Sequence, residues 1–286
     1  MKLSTCLSGL LAMASAATAA QLTQVNNFGS NPSGAKMYIY VPDKLAANPP
    51  VVVAIHYCSG TASAYYSGTP YARLADKHGF IVIYPESPYS GTCWDVSSAA
   101  TLTHNGGGNS NSIANMVGWT LGQYKGDASR VFVTGSSSGA MMTNVMAATY
   151  PNLFKAASTY AGVPAGCFFT GTTAGWNSSC ANGREVHSQE VWAQTARKMY
   201  PGYEGARPRM LTIHGSADAI INAQVSYVVL GVGLVKGEFA NDMRCRTSTR
   251  PSSSGRACWG IPTARRSRHW LGILRRRTPS TCTARI

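Results

Sequence analysis

The fold of this chain is decided by the run Arg130-Val131-Phe132-Val133-Thr134-Gly135-Ser136-Ser137-Ser138-Gly139-Ala140-Met141-Met142, in which a β-branched strand breaks at a Gly-x-Ser-x-Gly motif and resumes as a helix. A serine on such a sharp turn adopts a strained backbone, and a glycine two residues to either side keeps side chains from colliding there. The hydroxyl of Ser137 is then exposed at a helix N-terminus, where the helix dipole favours negative charge. We predict that Ser137 is a nucleophile and that the Ser138 amide stabilises the oxyanion formed at an attacked ester carbonyl. The alternative is a loop that is merely rich in serine and glycine.

The rest of the patterned region alternates strand-like and helix-like segments. With 286 residues, of which 44% are hydrophobic, the chain can bury one large core, so one domain is favoured over two. The alternation indicates a mostly parallel sheet with helices on both faces, as in the α/β-hydrolase fold. We call the turn at the Gly-x-Ser-x-Gly motif the elbow. Besides the strand and helix that flank it, we predict strands at 37–41, 51–55, 80–84, 154–160 and 210–213, and helices at 71–78 and 112–124.

Two further strand ends carry residues of catalytic types, and reactive groups lie at the carboxyl ends of the strands in such sheets. The turn His56-Tyr57-Cys58-Ser59-Gly60-Thr61 is placed where α/β-hydrolases supply a second oxyanion-hole amide, which we assign to Cys58. His214-Gly215-Ser216-Ala217-Asp218 follows another strand, and Asp218 fits the acid that orients a catalytic histidine. A solvated loop or helix-cap role is the alternative for Asp218.

The catalytic base should follow Asp218, because α/β-hydrolases place serine, acid and histidine in that order. Only His269 follows it, and this residue lies in a run of arginines where a buried imidazole is hard to place. His214 and His56 directly follow predicted strands and are expected to be structural. We therefore expect this 286-residue translation to lack its catalytic histidine and, with it, its activity.

The N-terminus has the pattern of a secretory signal over residues 1–19. Lys2 supplies the positive end, 7–16 the apolar stretch, and Ala17-Thr18-Ala19 a small-residue cleavage site. No later stretch is long and apolar enough to span a bilayer. We predict a secreted, extracellular protein, with its catalytic domain at 20–224.

Cysteine usage agrees with an extracellular location. Four cysteines lie in the patterned region, and an even number in a secreted chain predicts two disulfides. Three pairings are possible; we favour Cys167 with Cys180, which bracket a short loop, and therefore Cys58 with Cys93. Free buried thiols are the alternative. Asn177-Ser178-Ser179 in that loop is an acceptor sequence for N-glycosylation.

Most of the net charge of +14 comes from the C-terminal part of the chain. Residues 20–224 contain twelve Lys and Arg against nine Asp and Glu, whereas twelve further basic residues follow Val225. This tail, 225–286, has no hydrophobic periodicity and would ordinarily be interpreted as a disordered basic arm. The distribution argues against a nucleic-acid-binding domain.

An unspliced intron explains the tail better. Val225-Ser226 can be encoded by GTGAGT, a common 5′ boundary, Ala240-Asn241 by GCTAAC, a common branch sequence, and Arg244 by a codon that begins with AG, a 3′ boundary. The insert would span nineteen codons and two bases, so everything after Arg244 would be read in a shifted frame. We expect residues 225–286 to be an artefact of the gene model or of splicing.

Six short motifs occur in order between the signal and Gln224. They are His56-Tyr57-Cys58-Ser59-Gly60-Thr61, Tyr84-Pro85-Glu86-Ser87, Cys93-Trp94-Asp95, Gly135-Ser136-Ser137-Ser138-Gly139-Ala140-Met141-Met142, Tyr160-Ala161-Gly162-Val163-Pro164 and His214-Gly215-Ser216-Ala217-Asp218. Together they resemble the secreted fungal acetylxylan esterases of carbohydrate esterase family 1, which also contains feruloyl esterases and polyhydroxybutyrate depolymerase-like enzymes.

The resemblance implies a serine esterase that deacetylates xylan without a metal or cofactor. It implies Ser137 as nucleophile and Asp218 as acid, and it ends after Gln224. Trp94 is either a sugar-stacking platform, because an indole face fits the apolar face of a pyranose, or a core residue beside a disulfide.

Other functions remain open at this stage. Within the family, feruloyl esterase is the main competitor. A non-catalytic remnant that binds polysaccharide is a second possibility, and a tail that binds nucleic acid or an anionic surface is a third, for which affinity would fall steeply with salt. We expect a monomer with neither nucleic acid nor membrane as a partner.

Overall fold

The computed structural model describes residues 20–225 of the chain. The predicted signal peptide at 1–19, the tail beyond Val225 and His269 lie outside the described residues. Within residues 20–225, none of the helices combines the length and apolar character that crossing a membrane requires.

Seven strands form one mixed sheet in the order β1-β2-β4-β3-β5-β6-β7. The two strands at one edge pair antiparallel and the remaining five run parallel, so the predicted α/β-hydrolase architecture is confirmed. The strands are β1 (Thr23–Val25), β2 (Lys36–Tyr40), β3 (Val51–Ile55), β4 (Ile81–Glu86), β5 (Val131–Ser136), β6 (Ala156–Tyr160) and β7 (Arg209–Ile213).

Helices cover both faces of the sheet. They are α1 (Ala62–Gly68), α2 (Tyr71–His78), α3 (Asn109–Tyr124), α4 (Ser138–Thr149), α5 (Ser178–Ala181) and α6 (Gln189–Lys198). Alternate residues of β3 point into different cores, because successive side chains of a strand face opposite sides. Val53 and Ile55 pack in the larger cluster with residues of α3 and α4, and Ala54 packs in the smaller cluster with residues of α1 and α2.

Most predicted elements match, but the strand β1 and the helices α1, α5 and α6 were missed; α1 and α6 are the two longest of these. The first, α1, contains serine, glycine and two tyrosines, which are modest helix formers, and it begins where the Thr61 side chain accepts a hydrogen bond from the Ala64 amide. The second, α6, is capped in the same way by Ser188 and buries Trp192. Tertiary packing and a cap, rather than propensity, therefore define α1, whereas the Gln, Glu, Ala, Arg and Lys residues of α6 favour a helix by themselves.

Candidate active site

Ser137 occupies the sharp turn between β5 and α4 that the motif predicts. Its backbone has φ 53° and ψ −121°, a conformation that costs energy for any residue with a side chain. The Ser137 amide donates to the Tyr160 carbonyl at 2.9 Å, so the turn is tied to the neighbouring strand β6. The strain is thus held in place by the surrounding sheet.

The two glycines of the motif are required by backbone contacts. A Cβ atom on Gly139 would lie 2.2 Å from the Ile55 carbonyl oxygen and 2.5 Å from that of His56. A Cβ atom on Gly135 would lie 2.3 Å from the Gly139 carbonyl oxygen. Both glycines therefore allow the start of α4 to press directly against the end of β3.

This close contact brings the Cys58 turn to the elbow. Ile55 and Gly135 are paired across β3 and β5, so the chain segments that follow them leave the sheet side by side. The amide of Ser138 is at the first position of α4, where a helix leaves its N–H groups without intrahelical partners. Among the described residues, neither the Ser138 amide nor the Cys58 amide donates a hydrogen bond to another group. Both N–H groups can therefore donate hydrogen bonds to a developing oxyanion.

Two disulfides have the pairing that the sequence favoured, Cys58 with Cys93 and Cys167 with Cys180. The first ties the Cys58 turn to the segment after β4. Two hydrogen bonds reinforce it, from the Ser59 amide to the Gly91 carbonyl at 2.7 Å and from the Thr92 hydroxyl to the Gly60 carbonyl at 2.7 Å. The Cys58 amide is therefore part of a rigid turn.

Asp218 lies on the loop after β7. The register aligns Ser136, Tyr160 and Ile213 across three neighbouring strands. The loop that carries Asp218 therefore leaves the sheet at the same carboxyl-terminal end of the parallel strands as Ser137. One carboxylate oxygen of Asp218, Oδ1, accepts from the Ile220 amide at 3.0 Å and the Ile221 amide at 2.9 Å.

The charge of Asp218 is stabilised by its surroundings. Partial burial acts to raise the pKa of this carboxyl, but the hydrogen bonds from Ile221 and Ile220 and the nearby His214 outweigh burial and lower the pKa below its ordinary value. Its Oδ2 lies 3.4 Å from His214 Nε2. Asp218 thus has the ionised form that a triad acid needs, and it also stabilises its own loop.

Four histidines of the described region have hydrogen-bonding or ionic partners in the fold. His214 is buried, and its Nε2 lies 2.9 Å from the Ile221 carbonyl oxygen, beneath the Asp218 loop. His104 lies against the Thr149 carbonyl oxygen, and His187 against Glu185. His56 contacts two backbone groups. These partners agree with the structural role predicted for His214 and His56.

Trp94 cannot be the sugar-stacking platform that the sequence analysis considered. Its side chain is 2% exposed, and its indole Nε1–H donates to the His56 carbonyl at 2.9 Å. The ring packs against that of His56 with centroids 5.1 Å apart. The alternative, a core residue beside the Cys58–Cys93 disulfide, is the correct one, because both faces of the indole are enclosed by protein.

Exposed aromatic residues occur instead in the loop closed by the Cys167–Cys180 disulfide. Trp176 is 55% exposed, and its ring packs edge-on against Phe168 with centroids 5.1 Å apart. Phe169 is also exposed. Trp176 was not predicted as a candidate, although its place in a short disulfide loop after a strand was a usable signal. The same loop contains Asn177, whose side chain caps α5 by accepting from the Cys180 amide; its glycosylation stays a prediction.

No group of three or more His, Cys, Asp or Glu side chains within 20–225 is arranged to hold a metal ion.

Comparison with known proteins agrees with the geometry of the site. A chain region of 212 residues is 67% identical to acetylxylan esterase A of Emericella nidulans and covers 73% of this chain and 70% of that relative. The region matched to acetylxylan esterase A of Talaromyces purpureogenus is 64% identical and covers 56% of that relative. The solved structure of acetyl xylan esterase from Aspergillus awamori superposes with a TM-score of 0.72 at 63% identity, covering 72% of this chain and 76% of that one. The sequence profile of the esterase PHB depolymerase family matches residues 36–235, and the chain belongs to this family.

Proposed function

We propose that this protein is a serine esterase that removes acetyl groups from acetylated xylan. The observation that carries the proposal is the strained backbone of Ser137 between β5 and α4, in a region 67% identical to an acetylxylan esterase. A positive φ at a non-glycine residue is retained only where the surroundings enforce it, and such positions cluster at active sites.

The proposed reaction is a two-step acyl transfer. A histidine takes the proton from the Ser137 hydroxyl, and the Ser137 Oγ atom attacks the acetyl carbonyl carbon. The amides of Ser138 and Cys58 stabilise the tetrahedral oxyanion that forms. The sugar hydroxyl leaves with that proton, and water then hydrolyses the acetyl-serine. Asp218 orients the histidine and stabilises its charged form.

We propose that the histidine belongs to a segment downstream of Val225 that the given translation reads in the wrong frame. The exposed edge of the sheet supports this. In β7, the last described strand, Leu211 is 53% exposed to solvent and Ile213 is 45% exposed. Parallel sheets are normally covered on both faces. A further element would be expected to cover these side chains. We call the product of the message from which the insert is removed the restored-frame chain.

We propose that Trp176, rather than Trp94, is the platform on which a sugar ring stacks. Its loop follows β6 at the carboxyl-terminal end of the parallel strands, where Ser137 also lies. Its indole is exposed and packs against Phe168. An exposed, braced indole presents an apolar face to a pyranose ring. The substrate would then be a polysaccharide outside the cell, which agrees with the predicted signal and the two disulfides.

The test compares acetate release from acetylated xylan with ferulate release from a feruloylated sugar. We expect the restored-frame chain to release acetate much faster than ferulate, and its Ser137→Ala variant to release neither. The 286-residue chain should be slower by several orders of magnitude, as expected for the loss of a triad histidine. Equal rates for the two chains would overturn the frame proposal. Ferulate release alone, or xylan binding without any turnover, would overturn the acetyl esterase assignment.

A further inference from the structure

The imidazole of His56 is fully buried at the end of β3 and contacts two backbone groups. Its Nδ1 lies 2.7 Å from the Tyr57 carbonyl oxygen, and its Nε2 lies 3.2 Å from the Ser87 amide nitrogen. An amide N–H can only donate, so Nε2 accepts, and Nδ1 carries the proton that is donated to Tyr57. Both contacts therefore require the same neutral tautomer. Burial lowers the pKa of His56 and outweighs the opposing effects of the Tyr57 carbonyl and Glu86, which favours this neutral ring.

The Tyr57 carbonyl and the Cys58 N–H are the two ends of one peptide group. This group is planar and trans, so its C=O and N–H point in opposite directions. The Tyr57 carbonyl oxygen also accepts from the Gly60 amide at 3.0 Å. With the oxygen held by two donors, the direction of the Cys58 N–H is fixed as well.

The residues around His56 hold its ring in place. Trp94 packs against the ring and donates to the His56 carbonyl at 2.9 Å. A Cβ atom on Gly60 would lie 2.8 Å from the Tyr57 carbonyl oxygen and 3.3 Å from His56 Nδ1, so glycine leaves room for this hydrogen bond. Ser87, the second partner, immediately follows β4, so the imidazole links the Cys58 turn to a second strand end.

We propose that His56 is a positioning residue, whose Nδ1–H orients the Tyr57–Cys58 peptide so that the Cys58 N–H points toward the acyl oxygen of the substrate. The inference rests on the proposed function in one respect, the assignment of the Cys58 amide to the oxyanion hole. His56 does not touch the substrate; it acts through the peptide that it fixes.

Two substitutions separate the two contacts of the ring. In His56→Asn, the side-chain amide nitrogen takes about the place of Nδ1 and still donates to Tyr57. In His56→Gln, the longer side chain reaches the Ser87 amide but no longer donates to Tyr57. The first measurement needs no activity: the residual dipolar coupling of the Cys58 N–H in the ¹⁵N-labelled 286-residue chain. We expect His56→Gln to change it and His56→Asn to leave it near the wild-type value, with His78→Gln on the exposed end of α2 as the control.

The second measurement is kcat for acetate release by the restored-frame chain. Removal of an oxyanion-hole donor lowers kcat by about 10²–10³-fold, so misdirecting it in His56→Gln should lower kcat by at least about tenfold with little change in KM. The loss in His56→Asn should be clearly smaller. Equal effects of the two variants on the coupling, or a changed coupling with unchanged kcat, would overturn the proposal.

The two measurements distinguish a failure of the proposed function from a failure of the proposal for His56. If the restored-frame chain releases no acetate, the proposed function is wrong, while the coupling still decides whether His56 fixes the peptide. If His56→Gln does not fold, ¹⁵N shifts of the wild-type imidazole decide instead. We expect a protonated Nδ1 and an unprotonated Nε2, and the opposite tautomer would overturn the proposal.

Discussion

At the scale of single residues, the strained backbone of Ser137 lowers the stability of the fold, whereas its hydroxyl is needed for the proposed activity. A serine at φ 53° and ψ −121° is disfavoured by its Cβ, whereas glycine adopts this conformation readily. Substitution to glycine should therefore relax the turn.

In the restored-frame chain, we expect Ser137→Gly to raise the free energy of unfolding by about 1 kcal/mol relative to Ser137→Ala, while both variants lose all acetate release. Urea denaturation of the two variants measures the difference. Equal stabilities would show that the turn is not strained at this residue.

Asp218 has two possible roles, and a matched pair of variants distinguishes them. Asp218→Asn keeps an oxygen for the Ile220 and Ile221 amides but removes the charge, whereas Asp218→Ala removes both. If Asp218 is the triad acid, Asp218→Asn should lower kcat by about 10²–10⁴-fold in the restored-frame chain, with little loss of stability. A variant that keeps its kcat would identify Asp218 as a turn residue alone.

Asp95 is buried and organises the loops beside the site. Its carboxylate accepts six hydrogen bonds, among them those from the Thr101 hydroxyl at 2.7 Å and the Ala174 amide at 3.1 Å. Burial acts to raise the pKa of Asp95, but hydrogen bonds, first from Ser98 and Thr101, outweigh it and lower the pKa.

Asp95→Ala should lower the free energy of unfolding at neutral pH by at least about 3 kcal/mol, because it leaves several buried donors unpaired. Since the folded-state pKa is depressed, this contribution is complete above the ordinary carboxyl pKa and is lost as pH falls through the folded value. Urea denaturation between neutral and acidic pH should show a shallower acid dependence in the variant. The exposed Asp43→Asn is the control, and an equal loss there would contradict the prediction.

At the scale of elements, the packing of β3 against α4 decides the geometry of the site. The closest approaches are between backbone atoms, so they leave no side chain that could adjust.

Gly139→Ala should therefore be severe. The added Cβ would meet the carbonyl oxygens of Ile55 and His56 and push α4 away from the Cys58 turn. In the restored-frame chain, we expect a loss of about 2 kcal/mol or more in the free energy of unfolding and near-complete loss of acetate release. Gly118→Ala on α3, where a Cβ meets nothing within 4 Å, is the matched control and should be tolerated. A stable, active Gly139→Ala would show that the two elements can separate.

At the scale of the whole molecule, the exposed β7 edge and the basic tail point to one cause. We propose that the main message lacks the segment encoding Val225 to the first part of Arg244. Sequencing cDNA across this point should show the shorter message, and a predominant message that retains the segment would contradict the proposal.

The sequence alone determined the architecture and the position of the proposed nucleophile, Ser137. The β-branched runs, their alternation with helical segments and the Gly-x-Ser-x-Gly motif are local patterns, and the physics that they reflect acts over a few residues. The short helix α1 escaped because its composition favours helix only weakly, whereas α6 consists largely of strong helix formers and follows a capping serine, so its sequence did contain a usable signal.

Only the tertiary structure decided which residues lie around the proposed site. Trp94 and Trp176 are equivalent in the sequence as aromatic residues in loops, yet one is buried against His56 and the other is exposed. His56 gained a role because Tyr57, Ser87 and Trp94 converge on its ring from two strand ends. Burial and hydrogen-bond direction depend on segments that are distant in the chain, so no local pattern encodes them.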